Sequence, residues 1–145
     1  MSASLAIPSL EILPQRPPVL LVDQLVHYDP ACVRTVYTVP QEGLLIQDGC
    51  LSEAGVLEHI AQSSAARIGY ISKYILHIPI RIGYIGSIRN GLIYRLPRCG
   101  ERLETVITLR QEMMDVTMVD AEVYSAGELL AQANLKTALG GEIPE

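Results

Sequence analysis

The sequence has 145 residues, of which 49% are hydrophobic and 19% charged, a balance typical of one globular domain long enough to bury a core. Its formal net charge of -5, with the basic residues scattered along the chain, argues against a nucleic-acid-binding surface. No basic N-terminal region precedes a long apolar stretch, and no window reaches the ~18 uncharged apolar residues of a membrane span, so we expect a cytoplasmic protein.

Two strands joined by a turn are predicted near the start of the chain. Residues 19–29 (VLLVDQLVHYD) are typical of a strand, and residues 32–40 (CVRTVYTVP) alternate as a strand does. Asp29 and Pro30 supply the turn between them. We therefore expect an antiparallel hairpin.

A single long helix is predicted from about Ser52 to residue 74 or 75. Ser52 is a suitable N-cap, and the carboxylate of Glu53 favours the positive end of the helix dipole. Small side chains keep the helix surface thin almost all the way round: Ala54, Gly55, Ala61, Ser63, Ser64, Ala65, Ala66 and Gly69. A helix that is small or apolar on most faces is generally buried, so we expect a sheet to surround it.

Only strands are predicted after the helix. They cover residues 81–97, 101–113, 116–125 and 129–139, with turn signals at Asn-Gly (90 and 91) and Ala-Gly-Glu (126–128). Strands, one helix and more strands predict an α+β fold in a single domain, residues 1–145, with one antiparallel sheet curling around the helix. The uncovered edge strands favour dimerisation.

The chain has three cysteines, Cys32, Cys50 and Cys99. An odd number without Cys-x-x-Cys spacing indicates neither a disulfide framework nor a zinc site, so we interpret them as reduced packing residues. We expect no metal and no cofactor.

Several segments, in order along the chain, resemble one family. LPQRPPVLLVDQLVHYD is similar to the PHR-P-LLVD opening of the hotdog-fold 3-hydroxyacyl-acyl carrier protein dehydratases of the FabZ and FabA type, and GVLEHIAQ resembles their EAMAQ helix start. GYIGSIRNGLIYRLPRCGERL resembles their strand-turn-strand segment, and AGELLAQANLKTAL resembles their terminal strand. Within the family, VLEHIAQ and RIGYIGSIR look most like the divergent ApeP-like branch of aryl-polyene biosynthesis. The resemblance covers roughly residues 12–139 and implies a hotdog fold, an antiparallel sheet wrapped around one long central helix.

The resemblance also implies a chemistry, the loss of water from a 3-hydroxyacyl thioester held on an acyl carrier protein. In this family a histidine before the helix and a carboxylic acid on the helix share the proton transfers, and the two come from different subunits of a dimer. Glu58 falls on the family's carboxyl position, but the histidine position falls on Leu44 in an ungapped match. No histidine occurs between His27 and His59, so the catalytic pair is incomplete. Gln15 also stands where the opening motif usually has a histidine.

Other residues are candidates for binding substrate. The backbone N–H groups of Ala54, Gly55 and Val56 lie at the helix start, where unpaired donors can hold a thioester oxygen. Gln62 lies one turn after Glu58 on the same face, where it can either orient the carboxylate or bond the backbone.

The strand after the helix offers a further candidate site at Ile85 and Gly86. Together with the small helix residues, these two suit a narrow acyl tunnel. The same small residues equally suit close contact between helix and sheet, so both interpretations stay open.

The remaining polar residues of interest have structural interpretations beside the functional ones. His59 points about 100° away from Glu58 around the helix, and we interpret it as a packing or interface residue. Four arginines are candidates for docking an acidic carrier protein, or else solvated charges at strand ends: Arg67, Arg81, Arg89 and Arg98.

These observations predict a dehydratase homologue or dehydratase subunit acting on acyl chains bound to an acyl carrier protein, with Glu58 as its catalytic group. The missing histidine indicates either a homodimer with an incomplete site or a heterodimer with a histidine-bearing dehydratase, in a dimer or a larger oligomer. One alternative is an acyl thioesterase in which a lone helix glutamate activates water. Another is a non-catalytic partner subunit of an active dehydratase.

Overall fold

A computed structural model describes residues 5–142 of the chain. The helical elements are a short 3-10 turn (Ser9–Glu11), the long helix α1 (Glu53–Tyr70) and a π-helical turn (Ile71–Ile75) that continues it. The strands are β1 (Ile7–Pro8), β2 (Gln24–Asp29), β3 (Cys32–Thr38), β4 (Ile46–Gln47), β5 (Cys50–Leu51), β6 (Arg81–Ile93), β7 (Arg102–Met113), β8 (Val116–Ser125) and β9 (Glu128–Glu142).

Seven strands form one sheet in the order β1-β2-β3-β7-β8-β9-β6, and every neighbouring pair is antiparallel. The sheet wraps around α1, whose contacts reach β3, β6, β7 and β8. Strands β4 and β5 form a separate small hairpin just before the helix. One antiparallel sheet around one long helix is the hotdog arrangement, so the predicted fold is confirmed.

Two glycines of the helix let neighbouring backbone and side-chain atoms come close. A Cβ atom added to Gly69 would lie 1.8 Å from the carbonyl oxygen of Ile12, and one added to Gly55 would lie 2.4 Å from Leu51 Cδ1. Ser52 caps the helix as predicted, with its Oγ accepting the N–H of Gly55 at 3.1 Å. The small side chains at these positions therefore serve close packing.

The two predicted strands at the start of the chain are only partly correct. The hairpin of β2 and β3 is confirmed, but β2 begins at Gln24, and residues 19–21 bond to side chains of α1 instead of to a strand. The β4–β5 hairpin was not predicted. Its turn, Asp48-Gly49, has φ values of 54° and 75°, which an Asp-Gly pair accommodates well in tight hairpins.

The predicted turn at Asn90 and Gly91 is wrong. Strand β6 continues through this point to Ile93, and the pairing with β9 shifts between Arg89 and Leu92. Asn90 has φ 54°, so the Asn-Gly pair forms a bulge in one strand instead of joining two strands. The predicted strands 101–113, 116–125 and 129–139 are confirmed within three residues at their ends.

Strand β6 lies at one edge of the sheet and exposes large apolar side chains there. Tyr84, Ile88 and Leu92 are among its exposed residues. Unpaired edge strands with apolar side chains readily add another strand. Within residues 5–142, none of the helices is both long and apolar enough to cross a membrane.

Candidate active site

Glu58 lies in the second turn of α1, on the part of the helix that the sheet leaves uncovered. Its side chain is exposed, and its Oε1 accepts a hydrogen bond from Gln62 Nε2 at 3.0 Å. Residues four apart on a helix lie one above the other, so the helix itself sets this contact. The carboxylate is thus both open to a ligand and held in orientation.

Two clefts meet at Glu58. The strand cleft, of about 190 Å³, lies between the helix and β6, and its walls include Gln15, Ala61, Ala65 and Ile85. The loop cleft, of about 320 Å³, lies toward the start of the helix. Its walls are Pro18, Val19, Leu44, Leu45, Ala54 and Glu58 itself. The loop cleft is lined mostly by apolar side chains, whereas half of the residues that line the strand cleft are polar. An apolar wall beside a carboxylate is compatible with a reaction on an acyl chain.

Gln62 is buried and uses its whole amide group. Its Oε1 accepts the backbone N–H of Leu21 at 2.7 Å, and its Nε2 donates to the carbonyl oxygen of Val19 at 2.7 Å as well as to Glu58. The two interpretations of Gln62 are therefore both correct, since it bonds the backbone and orients the carboxylate. The N-terminal segment (residues 12–21) is held against the helix by these bonds.

His59 faces the opposite way and is fully buried. Its Nδ1 lies 2.7 Å from the carbonyl oxygen of Leu21, and its Nε2 lies 2.6 Å from Thr105 Oγ1. Burial lowers the pKa of His59 to about 4, so the ring is neutral, with Nδ1–H donating to Leu21 and Nε2 accepting from the threonine hydroxyl. Tyr37 stacks on the ring with centroids 5.5 Å apart. The interpretation of His59 as a packing residue is confirmed.

The start of the helix offers fewer free donors than predicted. The N–H of Gly55 donates to Ser52 Oγ and the N–H of Val56 to the carbonyl oxygen of Ser52, at 3.1 and 2.9 Å. The expectation that these two groups are unpaired is therefore wrong, because the cap itself occupies them. Ala54 lines the loop cleft beside Glu58, and a contact with substrate there stays a prediction.

The two candidate residues of β6 are separated by the structure. Ile85 lines the strand cleft with Glu58, as an acyl tunnel requires. Gly86 lies where the pairing with β9 shifts, and it lines a different depression with Ser87 and Arg89. Ile85 therefore lies beside Glu58 and Gly86 does not, and a substrate contact of Ile85 stays a prediction.

The three histidines of the sequence all lie within residues 5–142, and none of them is among the described residues that line either cleft. His59 is turned into the core, and His27 lies on β2, where its Nε2 is 2.7 Å from Asp29 Oδ2. Leu44, the position that aligns with the family histidine, lines the loop cleft with Glu58 and is 72% exposed. The position that aligns with the family histidine thus carries an exposed aliphatic side chain in this protein.

Of the four candidate docking arginines, Arg67 is excluded. It is only 8% exposed, and its guanidinium lies 3.5 Å from Glu112, so it is a buried residue of the helix. Arg89 and Arg98 are exposed and Arg81 is half-buried, so these three keep both interpretations.

Gln15 is the site residue whose importance the sequence did not indicate. It lines the strand cleft beside Glu58 and Gln62, although it lies more than forty positions earlier in the chain. The one signal in the sequence is that Gln15 stands where the opening motif usually has a histidine. Within residues 5–142, no group of three or more His, Cys, Asp or Glu side chains has metal-binding geometry, and Cys32, Cys50 and Cys99 are free thiols.

This geometry agrees with a comparison of the whole sequence with known families. The profile of the ApeP-like family, described as ApeP dehydratase, matches residues 7–142. The chain belongs to the ApeP-like dehydratase family. No curated protein matches the chain in sequence.

Solved structures agree on the fold. A chain of the dehydratase heterocomplex ApeI:P from Xenorhabdus doucetiae superposes with a TM-score of 0.84 at 20% sequence identity, covering 93% of this chain and 92% of that one. The PaaI protein of E. coli, from the phenylacetic acid degradation operon, gives a TM-score of 0.63 at 11% identity, with 79% and 80% covered.

A third structure, a hypothetical thioesterase of Streptococcus pneumoniae TIGR4 determined with coenzyme A, gives a TM-score of 0.65 at 10% identity, with 83% and 88% covered. At these identities the structures establish the shared fold. Membership of the dehydratase family comes from the sequence match.

Proposed function

We propose that this ApeP-like protein is a subunit of a 3-hydroxyacyl thioester dehydratase and that Glu58 is one of its two proton-transfer groups. The observation that carries the proposal is the placement of an oriented, accessible carboxylate at the meeting point of two clefts, one of which is lined mostly by apolar side chains. The second proton-transfer group, in this proposal, is a histidine of a partner dehydratase.

The reaction requires two proton transfers at neighbouring carbons. A base removes the proton next to the thioester carbonyl, the electron pair of that C–H bond becomes the new double bond, and the 3-hydroxyl leaves with a proton from an acid as water. Glu58 is able to carry one of these protons. Since none of the chain's own histidines lines the clefts, the other has to be carried by a group from elsewhere.

The edge strand β6 supports completion of the site by a second hotdog chain. Gly83 and Ile85 of β6 form part of the strand cleft, so a strand added along β6 would lie close to Glu58. Apolar side chains at this edge, Tyr84, Ile88 and Leu92 among them, are exposed in the single chain. Pairing along β6 would bury them and satisfy the open hydrogen-bonding groups of the strand.

The carrier of the acyl chain is proposed to be an acyl carrier protein. The exposed Arg89 and Arg98 are candidates for contacts with its acidic surface or with the phosphate of its prosthetic arm. The strand cleft and the loop cleft, of about 190 and 320 Å³, are too small to enclose a carrier protein or a coenzyme. They are compatible with an acyl chain that enters from a carrier bound outside.

A thioesterase is the second candidate function. The observation in its favour is that Glu58 is the one ionisable residue among the described residues that line the two clefts, and that it is exposed to the water it would have to activate. In that reaction the carbonyl carbon is attacked by water and the thiol is released, whereas dehydration leaves the thioester bond intact. The two functions are therefore separated by their products.

The test is mass spectrometry of a 3-hydroxydecanoyl-carrier substrate incubated with the chain alone, with a histidine-bearing dehydratase alone, and with both together. We expect water loss to be fastest in the mixture and to fall when the chain carries Glu58→Gln. Thiol release by the chain alone would establish the thioesterase instead. Full activity of a mixture containing Glu58→Gln would leave the chain a purely structural partner.

A further inference from the structure

The sheet has a depression on its outer face, the face turned away from α1. Along β9, Thr137 lines the strand cleft on the inner face, so its neighbour Lys136 points to the opposite face. The outer depression has a volume of about 770 Å³, larger than either cleft beside Glu58. Polar side chains from four neighbouring strands line it: Ser87, Arg89, Arg110, Asp120, Asn134 and Lys136.

A bulge in β6 directs two of its side chains into the outer depression. Ile85 pairs with a residue of the inner face, Thr137, and the register then shifts between Ile85 and Ser87. Because side chains alternate along a regular strand, Ser87 and Arg89 would otherwise share the inner face with Ile85. The extra residue, Gly86, reverses this direction. Bulges that redirect a side chain in this way are frequent beside functional sites.

The one carboxylate among the residues that line the outer depression is already paired on both oxygens. Asp120 Oδ1 accepts a hydrogen bond from Asn134 Nδ2 at 2.6 Å, and Asp120 Oδ2 pairs with Arg110 Nε. Asn90 Nδ2 donates in turn to Asn134 Oδ1 at 2.7 Å. These contacts join all four strands of the depression and hold its polar side chains in place.

Two further cations of the outer depression have no acidic partner. Arg89 and Lys136 are exposed, and neither forms an ion pair with any residue between 5 and 142. Arg89 pairs with Asn134, two positions before Lys136 on β9, and such diagonal neighbours lie about 7 Å apart. With Arg110 and Asp120 included, the depression holds three positive charges and one negative charge, a surplus of two.

This positive charge is local, because the chain as a whole has a formal net charge of -5. The overall charge repels anions, so an anion is held only where several cations converge. A phosphate group carries nearly two negative charges at pH 7 and offers three acceptor oxygens. Arginine, lysine and hydroxyl groups all donate to such oxygens, and Ser87 supplies the hydroxyl here. The charge and the donors therefore match a phosphate group.

We propose that the outer depression binds the phosphate group of a small molecule between Arg89 and Lys136, with Ser87 as a further donor. These side chains lie across the sheet from Glu58, so the inference does not rest on the proposed function. Because they stand on the face of the sheet, a strand added along the edge of β6 leaves them accessible. The phosphate has two sources with the same chemistry: a free phosphorylated metabolite, or the prosthetic arm of a carrier protein.

The test is an NMR titration of the backbone amide resonances of the full chain at low ionic strength. The ligands are inorganic phosphate, adenosine monophosphate and phosphopantetheine, with succinate as a dicarboxylate control. We expect the phosphate compounds to shift the resonances of residues 86–90 and 134–136 with dissociation constants of about 1 mM or lower, the affinity that two charge-assisted hydrogen bonds provide. Succinate is expected to bind at least about tenfold more weakly, because its two single charges lie farther apart.

The order of the affinities identifies the source of the phosphate. Tightest binding of phosphopantetheine indicates the arm of a carrier protein, and tightest binding of adenosine monophosphate indicates a free nucleotide. Equal affinities of the three phosphate compounds indicate that the phosphate group alone is recognised. Each of these results supports the site.

Variants separate a specific site from the general charge of the surface. Arg89→Gln and Lys136→Gln are each expected to weaken phosphate binding about tenfold, the effect of one lost charge-assisted hydrogen bond. The double variant is expected to abolish binding, and Arg89→Lys to bind more tightly than Arg89→Gln. Arg102→Gln removes one charge from an exposed position of β7 outside the depression, so this matched control should bind as the wild type does.

Three results would overturn the proposal: no shift at these residues with any phosphate compound far above the expected dissociation constant, equal binding of succinate, or undiminished binding by the folded double variant. Both substituted side chains are exposed, so the double variant is expected to fold. The titration needs neither turnover nor a partner chain. A protein that binds phosphate but never supports water loss refutes the proposed function alone.

Discussion

Glu58 and His59 are consecutive residues of α1, yet the side chain of Glu58 is exposed beside two clefts and that of His59 is buried in the core. On the His59 side, both ring nitrogens have partners and the side chain is fully buried. On the Glu58 side, one carboxylate oxygen has a partner and the rest of the group faces two clefts. The helix thus buries a fully paired side chain on one face and presents an accessible carboxylate on the other.

The difference shows why an acidic and a basic side chain are both found in so apolar a helix. A buried polar group is tolerated when it is fully paired, and His59 meets that condition as a neutral ring. Glu58 needs no such pairing because it stays near solvent. Adjacent titratable residues are therefore not evidence of a catalytic pair when the helix turns them to opposite sides.

Removing the buried ring of His59 is expected to have the largest effect, a loss of stability. His59→Ala deletes a fully buried ring and leaves the carbonyl of Leu21 and the hydroxyl of Thr105 without partners, so we expect the free energy of unfolding to fall by about 4 kcal/mol. Urea denaturation measures it. His27→Ala, at a partly exposed pair, is the control and is expected to cost less than about 1 kcal/mol; similar losses for both variants would contradict the proposed anchoring role.

Replacing Glu58 is expected to lower turnover and to leave the free energy of unfolding nearly unchanged. In the mixed complex, Glu58→Gln keeps the shape of the side chain but cannot transfer a proton, so we expect turnover to fall at least about a hundredfold, or about 2.7 kcal/mol in activation free energy. The unfolding free energy should stay within about 0.5 kcal/mol. Glu104→Gln, on an exposed position of β7, should leave both quantities unchanged.

Acidic pH is expected to lower the free energy of unfolding through His59. Because the pKa of His59 is lowered to about 4 in the folded chain and is about 6.5 when unfolded, the unfolded state binds the extra proton first. The contribution of neutral His59 to the free energy of unfolding is fully present above about pH 6.5 and is lost as the pH falls toward about 4. Between about pH 7.5 and 5 this loss amounts to about 2 kcal/mol, and below about pH 4 it grows no further. Urea midpoints across this range measure it, and His59→Gln should flatten the slope; an unchanged slope would contradict the pKa assignment.

The smallest effect is expected for Gln62, which hydrogen-bonds both Glu58 and the N-terminal segment. Gln62→Met keeps the volume but leaves the N–H of Leu21 and the carbonyl of Val19 unpaired, so we expect a loss of about 1.5 kcal/mol in stability. Turnover should fall about tenfold, since Glu58 loses its orienting donor. Gln111→Met is the matched control. Combining Gln62→Met with Glu58→Gln should add nothing further to the loss of turnover, and full additivity would show that the two residues act independently.

Much of the scaffold was predictable because it depends on local signals. The cap at Ser52, the small residues of α1 and the alternation along β8 each predict one element, and each prediction is confirmed. The turn assigned to Asn90 failed because the same two residues suit a tight turn and a bulge, and only pairing with β9 decides between them. Local patterns do not contain that information.

The site was less predictable because it depends on distant contacts. Glu58 and Gln62 were identified from helix spacing and family resemblance, and their contact is as expected. The hydrogen bond from the N–H of Gly55 to Ser52 Oγ and the location of Gly86 in a depression away from Glu58 depend on three-dimensional geometry. The sequence pattern does not give that geometry. Gln15 reaches the cleft only because the N-terminal segment lies along the helix, which no spacing in the sequence indicates.

That arrangement has a consequence for the order in which the molecule assembles. The N-terminal segment leaves the ribosome before the helix does, since the side chains that hold it, His59 and Gln62, follow 38 to 43 residues later. Such contacts between distant residues form late in folding, because a long loop has to close before they contribute. Residues 12–21 therefore stay without these hydrogen bonds until the helix is made. The strand cleft is completed later still, because β6 and Thr137 form part of its wall.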